Sequence, residues 1–255
     1  MKKFIATTAL AATMTLAAAG AALATPSTTY WTPMVMDIQG YKVGHLTLDN
    51  YFSVEKPKSD SVAVNSFPTD VGLTVGILPF DKIQMEIGVD ALWPSDNPYF
   101  FNAKIGAPEG ALFSGAPALQ VGIFNVGTKN KVTNQNIVFG VIGKTIPVLG
   151  RVTAGPYIGN SAVLKDSNGK TENAGFMVAY DRGFLLTKDA EGNEYSKVVL
   201  AADYASGKNA IGGGGFGLYY YFTKNIDLLT GPVWFNDKGI NGAWKWTTQI
   251  DINFP

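Results

Sequence analysis

The stretch Trp244–Phe254, WKWTTQIDINF, decides the fold. Read with period two, Trp246, Thr248, Ile250, Ile252 and Phe254 share one face. Lys245, Thr247, Gln249, Asp251 and Asn253 share the other. Successive side chains of a strand point to opposite faces, so one face suits lipid or a core and the other suits water. The stretch ends on an aromatic residue, with only Pro255 after it.

The same alternation recurs backwards through the chain. It predicts strands at about Tyr41–Val54, Thr69–Leu78, Ile83–Leu92, Tyr99–Gly106, Pro117–Gly127, Gln135–Ile146, Arg151–Asn160, Asn173–Phe184, Ser196–Gly207, Ala210–Thr223 and Ile226–Asn236. The clearest is Ile83–Leu92: Ile83, Met85, Ile87 and Val89 oppose Gln84, Glu86, Gly88 and Asp90. A helix would set Met85 and Val89 beside Glu86 and Asp90, so period two fits and period 3.6 does not. In the sixth strand Ile137, Phe139 and Val141 are read against Gly140 and Lys144, with Val138 and Ile142 blurring the pattern. Pro156 predicts a bulge or weakened pairing in the seventh. Turn residues close the units at Pro79–Lys82, Trp93–Pro98 and Pro147–Gly150. Ala107–Ala116 reads as a loop with a short helical turn at Glu109–Phe113. Glu55–Asn65 and Ser161–Glu172 read as loops.

Composition says where such strands belong. Charged residues are 16% of the chain, against the ~25% of ordinary globular domains. After residue 25 no apolar run approaches the ~18 residues of a membrane helix. A membrane protein without spanning helices is a closed barrel, and its strands need about 9–11 residues. The expected fold is therefore all-β, an antiparallel up-and-down barrel of about twelve strands (ten to fourteen) spanning residues 41–255.

Met1-Lys2-Lys3, an Ala-rich apolar run to about Ala24 and the A-x-A site Ala22-Leu23-Ala24 read as a cleaved signal peptide, residues 1–24. Residues 25–40, broken by Pro26, Pro33 and Gly40, read as a lead segment at the periplasmic end or in the mouth, with a partial strand near Met34–Ile38. No cysteine is present, which excludes a disulfide framework and thiolate metal sites. One histidine makes a His-based metal site improbable, and no cofactor is implied. There is no basic patch of the kind that binds nucleic acid.

The alternating C-terminal strand with Trp246, Ile250, Ile252 and Phe254 resembles the last strand of Gram-negative outer-membrane β-barrels, which marks the chain for assembly. That resemblance implies the bacterial outer membrane, contact with its lipid and with the barrel-assembly machinery, and both termini on the periplasmic side. The connections after even-numbered strands should then be periplasmic and short. Those after the fourth and eighth read as long.

Inward candidates are His45, Asp49, Glu86, Asp90, Asn102, Lys104, Gln120, Lys144, Arg151, Asp181, Lys197, Asp203, Asp227, Gln249 and Asp251. Charges of both signs with a slight acidic excess predict a hydrated pore for small polar solutes with weak cation preference. The alternative is a closed barrel, structural or partner-binding through Glu55–Asn65 and Ser161–Glu172. Abundant inward ion pairs or an inserted N-terminal segment would favour it. A secreted soluble β-protein is a third reading. No enzyme is expected, because His45 has no nucleophile within reach. Glycines on the polar faces (Gly72, Gly76, Gly88, Gly122, Gly140, Gly217) leave space in a lumen or let an inner segment pack against the wall. Gly212–Gly215 predicts a bend or close approach of backbone. Tyr219–Phe222, Trp234-Phe235, Trp244, Trp246, Trp93 and Tyr99–Phe101 are read as interfacial girdles.

Overall fold

The computed structural model describes residues 27–54 and 66–255. The expected signal peptide and the loop Glu55–Asn65 lie outside them. Twelve strands form: β1 (Gly44–Ser53), β2 (Thr69–Gly76), β3 (Gln84–Trp93), β4 (Tyr99–Ala107), β5 (Ala118–Gly127), β6 (Asn134–Ile146), β7 (Gly150–Ile158), β8 (Ala174–Lys188), β9 (Glu194–Ala205), β10 (Gly213–Thr223), β11 (Ile226–Phe235) and β12 (Trp244–Phe254). One short helix, α1 (Lys238–Asn241), precedes β12.

Each strand pairs antiparallel with its sequence neighbours, and β1 pairs with β12, which closes the ring. The seam is continuous from Gly44↔Phe254 to Ser53↔Lys245. A Cβ on Gly44 would stand 2.6 Å from Phe254 Cζ, so the last aromatic ring lies across the first residue of β1. Closure leaves no unpaired edge, the condition a sheet must meet in lipid.

Gly44 and Phe254 mark one end of the barrel, the terminal end; Ser53 and Trp244 mark the far end. At the terminal end, β8 runs on to Lys188 and leaves only residues 189–193 before β9. The connection expected to be long there is short. The one after β4, residues 108–117, is long, and it is made of turns and bends without the expected helical turn at Glu109–Phe113.

The outer face is apolar. Leu48, Ile87, Phe101, Val121, Ile142, Val152, Phe176, Leu218 and Ile250 are exposed on it. Aromatic belts flank that band: Trp93, Tyr99, Trp234 and Trp244 towards the far end, Tyr220, Phe222 and Phe254 towards the terminal end. Among the expected girdle residues, Phe100 and Phe235 are buried and turn inward, and Tyr219 and Tyr221 line the lumen.

Strand β6 corrects one expectation. Ile137, Phe139 and Val141 are buried inside the ring, whereas Val138 and Ile142 are exposed outside. Gly140 and Lys144 share the outward side with them. Both faces of β6 are apolar, because its inner face packs into a local core with Met34, Phe124, Tyr157, Met177 and Ile211. Alternation then gives the period but not the phase. At Pro156 pairing with β6 lapses between Phe139↔Tyr157 and Ile142↔Ala154, and the register is unchanged on both sides. The proline weakens the ladder without a bulge.

Candidate functional site

The lumen is occupied by residues 27–43 of the chain itself. The segment leaves the terminal end at Ser27, turns at Tyr30–Thr32 in the far half, and returns to Gly40. There Lys42 N donates to Gly76 O at 2.8 Å. No strand forms at Met34–Ile38, since this backbone has no parallel neighbour to pair with. Its polar groups are satisfied by side chains of the wall instead, as buried backbone must be.

Two carboxylates do most of this. At the turn, Asp203 Oδ2 accepts from Tyr30 N (3.1 Å), Trp31 N (2.8 Å), Thr32 N (2.7 Å) and Thr32 Oγ1 (2.9 Å). At the neck, Glu86 holds both passes of the segment. Its oxygens accept from Ser27 N (3.0 Å), Ser27 Oγ (3.0 Å) and Gln39 N (2.8 Å). Lys104 completes the neck, 3.3 Å from Glu86 Oε1, and donates to the carbonyls of Ser27 and Asp37. Both side chains are fully buried, and an ion pair in such a place depends on these extra hydrogen bonds.

Further wall residues cover the length between. Gln120 donates to Met36 O and Thr153 to Met34 O. Tyr219 Oη donates to Thr29 O at 2.8 Å, and Gln249 Nε2 to Tyr30 O at 3.3 Å. Arg151 bridges Asp37 of the segment (2.6 Å) and Asp181 of the wall (2.7 Å). Small residues make the room. Cβ atoms on Gly217 and Gly143 would stand 2.6 Å from Tyr30 Cε2 and 2.8 Å from Met36 Sδ.

The remaining inward candidates fall into three groups. His45 is held by Asp251 (3.2 Å) and Asn253 (3.0 Å) near the terminal end, with Asp227 lining the same space. Asp49 and Asp90 are buried towards the far end, where Asn102 Nδ2 lies 3.4 Å from Asp90. Lys144 and Lys197 do not line the lumen. Lys144 sits at the terminal rim, 2.7 Å from Glu109 and donating to Gly115 O. Lys197 Nζ lies 5.3 Å from the ring centroid of outward Tyr220. Of the expected assembly residues, Trp246, Ile250 and Phe254 are exposed on the outer face, and Ile252 is half-buried there.

The sequence reading left out the segment's own donors, Ser27, Tyr30, Trp31, Thr32 and Gln39. It also left out Asp70, on the same inner face of β2 as Thr74. The signal for the segment was present: a run of inward glycines, and more inward carboxylates than the wall itself pairs.

Among the described residues, a cavity lies at each end of the lumen. The terminal cavity, about 760 Å³, is lined by Thr28, Asp37, Gln39, His45, Asp227 and Asp251 among others. The far cavity, about 290 Å³, is lined by Thr28, Trp31, Tyr51, Asp70, Asp90 and Phe100 among others. Thr28 of the segment lines both, so the segment is the partition between them.

No family model and no curated protein matches the chain. Among solved structures, the fold is similar to that of a chain from work on in-meso crystallization of membrane proteins. That likeness has a TM-score of 0.50 at 11% identity and covers 84% of this chain and 83% of the other. An outer membrane channel from Pseudomonas putida F1 aligns with a TM-score of 0.45 at 9% identity, covering 90% of this chain and 99% of that one. OmpF of Salmonella typhi in complex with daunomycin aligns at 0.37 and 7%, over 83% and 96%. At these identities the likeness is one of fold. A closed antiparallel ring with an apolar outer band and aromatic belts is built for the bacterial outer membrane. The chain is an outer-membrane β-barrel.

Proposed function

We propose that this barrel is an outer-membrane channel for small polar solutes, closed at rest by its own segment 27–43 and opened when that segment leaves the lumen. The terminal end then faces the periplasm and the far end the exterior. One observation carries the reading: a single segment separates two cavities, its backbone held by hydrogen bonds that water can replace. Asp203, Glu86, Gln120 and Thr153 spend their polar groups on the segment's backbone, and each would face water if it left. The open lumen would present Asp49, Asp70, Glu86, Asp90, Asp203, Asp227 and Asp251 against few cations, so a weak preference for cations is expected.

We propose no catalytic role for His45. Both ring nitrogens of His45 are engaged, by Asp251 and Asn253, which leaves neither free to activate a nucleophile. The outward residues Trp246, Ile250 and Phe254 of β12 are the surface that assembly machinery would read.

A permanently closed barrel is the second reading, favoured by the complete burial of Tyr30 and Met34. Single-channel recording in a planar bilayer separates the two. For the channel, the native chain is mostly silent with rare openings, and Asp203→Ala opens in discrete ohmic steps that favour cations. Silence from Asp203→Ala, with the variant folded and inserted, would leave the closed barrel.

A further inference from the structure

The far cavity holds acidic side chains that no cation among the described residues pairs. Asp49, Asp70 and Asp90 all line it. Asp49 and Asp70 stand directly opposite each other across the β1–β2 ladder. Asp90, one strand further, stands opposite Gly72 of β2. Like charges set opposite in a ladder are destabilising. Among the described residues, no lysine, arginine or histidine forms an ion pair with any of the three.

Their hydrogen bonds are incomplete as well. Thr47 donates to Asp49, and Asn102 makes one long contact with Asp90 Oδ2. The buried Oδ1 atoms of Asp70 and Asp90 have no hydrogen-bond partner, and Asp90 is only 3% exposed. A buried carboxylate oxygen without a donor is costly, and here it borders an open cavity.

Five aromatic rings share the wall, Trp31, Tyr51, Phe67, Phe100 and Phe124, beside polar and aliphatic groups such as Asn125, Gln135, Met177 and Ile211. Phe100 stands opposite Asp90 in the β3–β4 ladder. Trp31 meets Tyr51 edge-on with centroids 5.4 Å apart, and stacks on Phe67 at 6.2 Å. This cluster already accommodates one ammonium. Lys245 Nζ, from behind, lies 4.4 Å from the Phe67 centroid and 5.7 Å from that of Phe235. Both distances are within cation–π range. No group of three His, Cys, Asp or Glu among the described residues is placed to hold a metal ion. Spread carboxylates and ring faces suit a soft, bulky cation better than a hard one.

We propose that the far cavity binds a small organic cation, an alkylated or quaternary ammonium. Asp70 and Asp90 supply the counter-charge, and Trp31, Tyr51, Phe67 and Phe100 supply the rings. Its volume, about 290 Å³, is at the small end of ligand pockets and fits a choline-sized guest. The site exists with segment 27–43 in place, since Trp31 is part of its wall, so it does not depend on conduction.

The test is calorimetric titration of the refolded full chain in detergent, with choline chloride, its neutral isostere dimethylbutanol, and magnesium chloride. Choline is expected to bind saturably, with dimethylbutanol about tenfold weaker or worse. Asp90→Asn and Phe100→Leu should each weaken choline by about tenfold. Near-UV circular dichroism checks the fold of both, and Asp70→Asn replaces Asp90→Asn if that variant misfolds. Equal affinity for choline and its isostere would overturn the proposal. So would an absence of binding heat, choline affinity unchanged in the folded variants, or magnesium displacing choline with Phe100→Leu as tight as the native chain.

Discussion

The wall and the segment inside it are stabilised in opposite ways. The wall satisfies its backbone with its own backbone: twelve strands pair in sequence order and close through β1 and β12. Residues 27–43 form no element with a regular ladder, and side chains distant in sequence complete their hydrogen bonds. Thr32 N reaches a carboxylate 171 residues away, and Gln39 N one 47 residues away. A ladder is cooperative and survives the loss of any one side chain. The segment depends on a few residues, so single substitutions should release it while leaving the barrel intact.

The largest expected effect is at the turn. Asp203→Ala removes four hydrogen bonds to one carboxylate and strands three backbone donors. Charge-assisted bonds contribute about 1.5–3 kcal/mol each and are not additive, so docking should weaken by about 4 kcal/mol. Hydrogen exchange of the Tyr30–Thr32 amides should rise by orders of magnitude, with strand amides unchanged. Exchange that rises equally in β1–β12 would mean segment and wall are one cooperative unit.

A substitution on the other side of the comparison should do the converse. Ile250 lies on the outer face at mid-strand, between Leu48 and Leu228. Ile250→Lys should cost the barrel about 3 kcal/mol, read as a shifted urea midpoint for folding into vesicles. Protection of the segment relative to the wall should not change.

The neck should respond somewhat less than the turn. In Glu86→Gln one oxygen still accepts from the segment and Lys104 keeps the carbonyls of Ser27 and Asp37, but Lys104 loses its counter-charge while fully buried, so the loss should still be about 3 kcal/mol. Exchange at Ser27 and Gln39 should rise by less than at Thr32 in Asp203→Ala. A larger rise would make the neck the main anchor. Gly143→Ala should loosen the segment by about 1–2 kcal/mol, since a Cβ would press on Met36 and on the Thr153 methyl. Local exchange at Met36 would report it.

The smallest effect lies at the terminal rim, outside the ring. Lys144 and Thr145 hydrogen-bond Glu109 and hold its carboxyl below the ordinary value of 4.5. A lowered folded-state value stabilises at pH above the unfolded one, and the benefit is lost as pH falls through the folded one. Protection of residues 108–117 should therefore persist at pH 7 and fade below about pH 4, with the barrel strands indifferent. Protection that is flat across that window would mean the contact contributes nothing.

The same contrast explains what could be read from the chain. Strand positions were legible because one face of each meets lipid and the other does not, as in β3 and β12. Phase failed on β6, where Ile137, Phe139 and Val141 meet Met34 inside while Val138 and Ile142 meet lipid outside. Charged candidates were legible as inward residues, and Asp203 and Glu86 were among them. Their work was not, because it consists of binding amides in a stretch broken by Pro26, Pro33 and Gly40 that has no period of its own. Lys144 was misplaced together with the phase of β6, and Lys197, near a strand end, lays its long side chain beside outward Tyr220.

The chain has no cysteine, which makes one labelling measurement decisive. Met34 is fully buried between the returning arm and the wall. A Met34→Cys chain, refolded into vesicles, can be treated with a water-soluble maleimide. With the segment held in the lumen, the thiol should label far more slowly than in urea, and adding Asp203→Ala should restore fast labelling without loss of barrel structure. Fast labelling in the otherwise native barrel, at the rate of the unfolded chain, would contradict a lumen closed by its own N-terminal segment.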